Sequence, residues 1–104
     1  TICFTSGTTG VPKGAMISHQ NVVGSLAGCL RTNIAAHKWT RYLSYLPLAH
    51  VLERLLHAAV LQEGGRIGFY QGSTATITDD MKALRPTIFT SVPRLYIPSS
   101  FLIF

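Results

Sequence analysis

A short polar segment near the start of the chain constrains its fold and its chemistry more than any other feature. Residues 5–14 contain four hydroxyl side chains, three glycines, one proline and one lysine, and they follow the apolar-leaning residues 1–4. Glycine permits positive φ and lets the backbone approach a ligand closely. Successive N–H groups of such a turn, together with nearby hydroxyls, can point at one anion. The pattern therefore predicts a strand that leads into an anion-binding loop.

The lysine of this loop indicates a polyphosphate ligand, because its mobile point charge can reach an outer phosphate. Two common phosphate loops do not fit. The Walker pattern requires Gly-Lys-Ser/Thr, whereas Pro12 precedes Lys13 and Gly14 follows it. The pattern G-x-G-x-x-G fails because Gly7 and Gly10 lack the required spacing. A flexible Ser/Thr/Gly linker is the alternative, but it leaves the rigid Pro12 beside Lys13 unexplained.

Strand-like and helix-like segments alternate along the rest of the chain. Short apolar runs predict strands, the first of them buried, over residues 1–5, 14–18, 42–46, 66–71 and 87–91. Apolar periodicity and capping residues predict helices over residues 18–32, 49–63 and 78–85. This alternation favours an α/β fold with a mostly parallel sheet and flanking helices.

The same patterns predict which residues cap and bury the helices. Ser18 and Thr78 are expected to cap the first and third helices, and Gly64-Gly65 to end the second. The expected buried faces comprise Val22, Leu26, Cys29 and Leu30 on the first helix, and Leu52, Leu55, Leu56 and Ala59 on the second. Gly24 and Gly28 each weaken the first helix by about 1 kcal/mol relative to Ala, which predicts a neighbouring element packed closely against them.

Composition limits the class of partner. Charged residues make up 12% of the 104-residue chain. This is about half the usual share of a soluble domain, so we expect a fragment with faces that pack on further protein. The net charge of +5 results from nine basic and four acidic residues, and the basic residues are scattered singly. Because no basic run or aromatic-basic interleaving occurs, the expected partners do not include nucleic acid.

Cysteine usage and hydropathy bear on location. Cys3 and Cys29 lack metal-site spacing, and we expect reduced thiols in an intracellular compartment. His37, His50 and His57 likewise lack metal-site spacing. The most apolar stretch, residues 55–61, is too short to span a bilayer. Membrane association is therefore expected only through segments outside this chain.

The loop resembles the phosphate-binding signature of the adenylate-forming enzymes, which include acyl-CoA synthetases, luciferases and peptide-synthetase adenylation domains. Residues 15–21 are similar to the usual continuation of that signature. Later segments resemble the long-chain acyl-CoA synthetase branch, namely YLPLAH (45–50) with ER (53–54), GFYQG (68–72), DDMK (79–82), LRPT (84–87) and VPRL (92–95). The resemblance covers residues 1–96 in uninterrupted order.

The resemblance implies both a fold and a domain assignment. Residues 1–96 would be part of the large N-terminal AMP-binding (adenylation) domain of an adenylate-forming enzyme, with its parallel sheet and flanking helices. Residues 97–104 depart from the family, because Pro98 breaks the expected amphipathic helix and four apolar residues end the chain. We expect this apolar tail to mark an alternative exon, a frame change or an incomplete gene model.

The resemblance also implies an activity and its site residues. The parent would be an ATP-dependent long-chain fatty acid–CoA ligase that forms an acyl-adenylate and then a thioester with the co-substrate CoA. The phosphates of ATP would be surrounded by Thr5, Ser6, Gly7, Thr8, Thr9 and Gly10. Lys13 would neutralise the leaving pyrophosphate, and the Thr5 hydroxyl would contact Mg²⁺.

His50 is the second candidate site residue. The resemblance implies that it borders the acyl-adenylate pocket, where it positions or gates the substrate. The alternative is a helix-entry histidine satisfied by backbone carbonyls. Glu53 and Arg54, which follow it, either pair with other parts of the domain or lie on a solvated helix face.

Several parts of the family's active site have no counterpart in the chain. These are the Tyr-Gly-x-Thr-Glu segment, the ribose-binding aspartate, the hinge and the catalytic C-terminal lysine. Because positioning supplies much of two-substrate catalysis, we expect the isolated chain to be inactive. The alternatives are a non-catalytic truncated product that binds nucleotide weakly or binds other proteins, and a medium-chain, bile-acid or aryl-CoA ligase of the same superfamily.

Overall fold

The computed structural model describes residues 1–5, 10–29, 31 and 36–90. The described parts contain four strands and three α-helices. In chain order these are β1 Ile2–Thr5, β2 Lys13–Met16, α1 His19–Cys29, β3 Arg41–Ser44, α2 Val51–Gln62, β4 Arg66–Phe69 and α3 Ile77–Leu84. The predicted strand over 87–91 is reduced in its described part to a parallel bridge between Ile88 and Tyr42. The predicted tail over 97–104 lies outside the described residues.

The N-terminal strands form an antiparallel hairpin. In its register Ile2 lies opposite Met16, and Thr5 lies opposite Lys13. The prediction that the first strand is buried is wrong except at Cys3, because Ile2 and Phe4 are exposed. Alternate side chains of a strand face opposite sides, and no described element covers the side that carries Ile2 and Phe4.

The second sheet is parallel and is built around β3. β3 pairs with β4 in parallel, with Tyr42 opposite Ile67, and bridges to Ile88 as well. Since β3, α2 and β4 follow one another, they form the β-α-β unit that the alternating pattern predicts. All residues from Tyr42 to Tyr45 are buried.

Alternation along β3 places one helix on each face of this sheet. Tyr42 belongs to a buried cluster with Val60 of α2, whereas Leu43 belongs to a second cluster with Ile77 of α3. Successive strand residues point to opposite faces, so the two clusters are the two cores of an α/β/α arrangement. The α/β class with flanking helices is thus confirmed.

The buried face of α2 differs from the predicted one. Leu52 is 38% exposed, whereas Glu53 and Val60 are completely buried at 0%. Leu55, Leu56 and Ala59 are half-buried. The helix turns Glu53 toward β3 because that carboxylate has polar partners there, as described below. An apolar periodicity cannot reveal such a partner.

The end of α2 agrees with its sequence. Gly64 has φ +71°, and the Gly64 N–H donates to the Leu61 carbonyl while the Gly65 N–H donates to the Val60 carbonyl. These two bonds are those of a Schellman motif, in which glycine takes the left-handed position without a Cβ penalty.

The starts of α1 and α3 agree only in part with the predictions. Ser18 caps α1 as predicted, since its Oγ accepts from the Asn21 N–H at 3.1 Å while Asn21 Oδ1 accepts from the Ser18 N–H at 3.0 Å. Thr78 does not cap α3. A 3₁₀ turn, Thr74–Thr76, precedes the helix, and Ser73 Oγ caps that turn instead.

The predicted buried face of α1 is confirmed only for the middle of the helix. Leu26 is buried and Val22 is half-buried, but Cys29 is exposed and Leu30 lies outside the described residues. A Cβ added at Gly24 or Gly28 would meet no described atom within 4 Å. The predicted close neighbour is therefore absent from the described part of the chain.

Candidate functional site

The predicted phosphate loop is closed at its base by the hairpin. Thr5 ends β1 and Lys13 begins β2, and the two residues pair across the strands. The Thr5 hydroxyl donates to the Lys13 carbonyl at 3.3 Å. Gly10 has φ +92°, a conformation that favours glycine. Ser6, Gly7, Thr8 and Thr9, the remaining predicted phosphate-binding residues, lie outside the described residues.

The electrostatic surroundings of the loop favour an anion. Lys13 is exposed, and residues 1–52 contain no aspartate or glutamate. Within the described parts, the two ion pairs are His57–Glu53 and Lys82–Asp79, so neither involves Lys13. A lysine without a nearby carboxylate keeps its charge available for a phosphate.

His50 forms the N-terminal cap of α2. Its backbone is extended, with φ −77° and ψ 125°, and its Nδ1 accepts from the Leu52 N–H at 3.3 Å. With Nδ1 as an acceptor, the neutral imidazole carries its proton on Nε2 and can donate from there. The side chain is exposed, just beyond the carboxyl end of β3. Ligands of parallel α/β sheets bind at that edge.

Arg54 joins this region to the hairpin. Its Nε and Nη2 donate to the Leu48 carbonyl at 3.2 and 3.0 Å, and its Nη1 donates to the Thr1 hydroxyl at 3.3 Å. Of the two alternatives that the sequence left open for Glu53 and Arg54, pairing with other parts of the domain is the one observed. Through its bonds to the Leu48 carbonyl, Arg54 stabilises the turn that precedes α2.

Sequence analysis missed a buried polar cluster between α2 and β3. Glu53 Oε2 accepts from the Tyr42 hydroxyl at 2.5 Å, and Glu53 Oε1 lies 3.2 Å from His57 Nε2. The same His57 nitrogen lies 2.9 Å from Ser44 Oγ. Burial, followed by the hydrogen bond and the charge of Glu53, raises the pKa of Tyr42 well above its usual value. We call Tyr42, Ser44, Glu53 and His57 the β3–α2 polar cluster.

The i, i+4 spacing of Glu53 and His57 was the one available sequence signal for this cluster. It did not reveal burial, because the same spacing occurs on solvated helix faces. The alternation that places Tyr42 and Ser44 on one face of β3 could have indicated the two strand residues of the cluster.

The β3–α2 polar cluster is not a nucleophilic triad, although it contains Ser, His and Glu. In a triad the base contacts the nucleophile through one ring nitrogen and the carboxylate through the other. Here both contacts involve His57 Nε2, and Ser44 is only 5% exposed. A carboxylate only accepts hydrogen bonds, so its contact selects a His57 that carries a proton on Nε2. The cluster is suited to holding α2 on β3.

The structure thus brings together some of the predicted site residues and leaves others apart. Thr5 and Lys13 are joined at the base of the loop, whereas no described hydrogen bond links either residue to His50. The described residues contain no group of three or more His, Cys, Asp or Glu side chains that could hold a metal ion. No helix among them is long and apolar enough to span a membrane.

Comparison with curated proteins shows similarity to long-chain acyl-CoA ligases. The chain is 52% identical over 99 residues to long-chain-fatty-acid–CoA ligase 6 of Rattus norvegicus, an alignment of 90% of this chain and 14% of that protein. It is 48% identical to the peroxisomal long chain acyl-CoA synthetase 6 of Arabidopsis thaliana, over 92% of this chain and 14% of the relative. The chain therefore spans about one seventh of the length of these relatives.

Solved structures show the same fold. ATP-bound MatB from Rhodopseudomonas palustris superimposes with a TM-score of 0.73 and 28% identity over 91% of this chain and 19% of that one. The AMP complex of O-succinylbenzoate coenzyme A synthetase from Bacillus subtilis superimposes with a TM-score of 0.70 and 26% identity, over 90% of this chain and 20% of that one. The family profile described as AMP-binding enzyme matches residues 1–98. The N-terminal hairpin and the β-α-β unit thus lie within the match, and the chain belongs to the AMP-binding enzyme family.

Proposed function

We propose that this chain is the phosphate-loop segment of an ATP-dependent long-chain fatty acid–CoA ligase. The observation that carries the proposal is the base of the loop, where β1 and β2 pair Thr5 with an exposed Lys13. The identity of 52% to a long-chain-fatty-acid–CoA ligase, over 90% of this chain, supports this substrate class. The solved relatives, at 28% and 26%, are less similar.

The proposed reaction has two steps. The fatty acid carboxylate attacks the α-phosphate of ATP, which forms the acyl-adenylate and releases pyrophosphate. The CoA thiol then attacks the acyl carbonyl, which forms the thioester and releases AMP. Negative charge develops on the β- and γ-phosphates in the first step, so fixed N–H donors and a cation stabilise that transition state.

In this proposal the loop residues Thr5, Ser6, Gly7, Thr8, Thr9 and Gly10 bind the phosphates, and Lys13 neutralises the leaving pyrophosphate. The described part of the loop fits such a ligand for two reasons. A Cβ added at Gly10 would meet no described atom within 4 Å, and no described carboxylate pairs with Lys13. Mg²⁺ would supply further charge neutralisation, and the Thr5 oxygen retains a lone pair for it beside its bond to Lys13. His50 borders the acyl-adenylate pocket.

The remaining parts of the proposal concern boundaries and location. Residues 1–96 are part of the AMP-binding domain, and residues 97–104 are a divergent tail. Because the chain spans about one seventh of its relatives' length, we propose that it is inactive in isolation. We propose an intracellular location for the parent protein, at the peroxisome or the endoplasmic reticulum. Two relatives that are named peroxisomal support the first of these.

The test is an exchange assay on the full-length reading frame that carries this segment. Pyrophosphate–ATP exchange is measured with palmitate, octanoate, a bile acid and benzoate, and acyl-CoA formation is then measured by mass spectrometry. Exchange that depends on palmitate, with palmitoyl-CoA as product, supports the proposal. Exchange that depends on another acid assigns a different ligase of the family. No exchange with any acid contradicts the ligase function.

A further inference from the structure

We propose that Glu53 is a positioning residue, whose buried carboxylate holds the first two turns of α2 against the end of β3 and thereby sets the position of His50. The inference rests on the proposed function, since the role of His50 at the acyl-adenylate pocket belongs to it.

The burial of Glu53 is the first observation. Its side chain is completely buried, and it is the first acidic residue in the chain. Burying a carboxylate costs several kcal/mol even after relaxation, and an apolar side chain of similar volume is often equally stable or more so. Core packing alone therefore does not account for a carboxylate at this position.

The geometry of its partners is the second observation. Oε2 accepts from Tyr42 on β3 at 2.5 Å, and Oε1 contacts His57, one turn further along α2, at 3.2 Å. His57 in turn contacts Ser44 at 2.9 Å, at the carboxyl end of β3. Two successive helical turns are thus tied to two strand residues on the same face. Such directional contacts resist sliding and rotation of the helix, which apolar contacts permit more easily.

The third observation connects Glu53 to His50. The two residues lie one turn apart, and the His50 carbonyl accepts from the Arg54 N–H at 3.2 Å while His50 Nδ1 accepts from the Leu52 N–H at 3.3 Å. His50 is therefore bonded to the residues on both sides of Glu53. A shift of the first helical turn moves the imidazole with it. Misplacement of a substrate-positioning group by about 1 Å can reduce a rate about a hundredfold.

The test compares Glu53→Gln with Asp79→Asn in the full-length enzyme. The control is matched, because Asp79 is also an acid in the first turn of a helix but is exposed. Steady-state kinetics give kcat and KM for palmitate and for ATP. Amide hydrogen exchange at Leu52 and Arg54 reports directly on the first turn of α2. Tyr42→Phe, which removes one hydroxyl, replaces Glu53→Gln if that variant does not fold.

We expect Glu53→Gln to lower kcat/KM for palmitate by about tenfold or more. We expect the KM for ATP to stay within about twofold, because none of the proposed phosphate-binding residues lies on α2. In Glu53→Gln, the rate of amide hydrogen exchange at Leu52 and Arg54 should rise. Asp79→Asn should change neither the kinetic constants nor these exchange rates.

Two results overturn the inference alone. One is that the wild-type enzyme is active and Glu53→Gln has the same kinetic constants. The other is faster amide exchange with no selective effect on palmitate, which would make Glu53 a structural residue only. A wild-type enzyme that activates no carboxylic acid overturns the proposed function, and the inference with it.

Discussion

The Tyr42 hydroxyl donates a 2.5 Å hydrogen bond to Glu53 Oε2, and both side chains are completely buried. This bond joins the central strand of the parallel sheet to the helix that follows it. It also satisfies the buried carboxylate of Glu53, because an acid that is removed from water needs a hydrogen-bond donor. The orientation of the helix thus depends on one polar pair as well as on its apolar residues.

Removal of the Tyr42 hydroxyl should destabilise the fold. Tyr42→Phe leaves the Glu53 carboxylate buried without this donor, and we expect a loss of about 2 kcal/mol in the free energy of unfolding. Denaturant unfolding of the protein measures it. Tyr70→Phe is the matched control, because Tyr70 is half-buried and its hydroxyl makes no hydrogen bond to a described residue. Equal effects of the two variants would contradict the importance of the buried bond.

Alkaline pH should reveal the same pair. The pKa of Tyr42 is raised in the folded protein above its unfolded value of about 10. At a pH between these two values, the native state keeps a proton that the unfolded chain loses. The contribution to stability is complete below pH about 10 and falls as the pH rises further.

Absorbance at 295 nm follows the tyrosine titration. The chain has four tyrosines, and we expect Tyr42 to keep its proton well above pH about 10 or until the protein unfolds. Tyr42→Phe should leave the amplitude of the native-state titration unchanged. A drop of about one quarter of that amplitude would show that Tyr42 titrates normally.

Two glycines should respond to alanine in opposite directions. Gly24 lies within α1 with no described atom near an added Cβ, so Gly24→Ala should stabilise the chain by about 1 kcal/mol. At Gly65 the Cβ would lie 2.8 Å from Val60 Cγ1 and 3.1 Å from the Thr40 carbonyl oxygen, so Gly65→Ala should destabilise it by about 1–3 kcal/mol. Thermal unfolding compares them. Destabilisation by Gly24→Ala would indicate an element packed on that face.

Lys13→Ala should weaken binding of polyphosphate. The exposed Lys13 ammonium lies at the base of the loop, and no carboxylate among the described residues pairs with it. We expect the Kd for pyrophosphate to rise about tenfold, which corresponds to about 1.4 kcal/mol. Calorimetric titration of the full-length protein measures it, with Lys82→Ala as a control for loss of one surface charge. Identical affinity of wild type and Lys13→Ala would contradict the phosphate cradle.

Local sequence determined much of the framework. The glycine- and hydroxyl-rich loop predicted a turn between two strands, Ser18 predicted the start of α1, and Gly64-Gly65 predicted the end of α2. These features depend on a few neighbouring residues, whose backbone preferences act over short range. The strand–helix alternation likewise predicted the β3–α2–β4 unit.

Tertiary structure decided the side chains that face one another. The spacing of Leu52, Leu55, Leu56 and Ala59 predicted a buried face, but the direction in which α2 turns depends on Tyr42 and Ser44, which lie on another element. Thr78 matched a capping pattern, yet α3 begins at Ile77 with Thr76 at its N-cap, directly after a 3₁₀ turn that Ser73 caps. A pattern along the chain reports periodicity and capping, whereas the burial of Glu53 follows from a donor eleven residues away that only the fold brings within 2.5 Å.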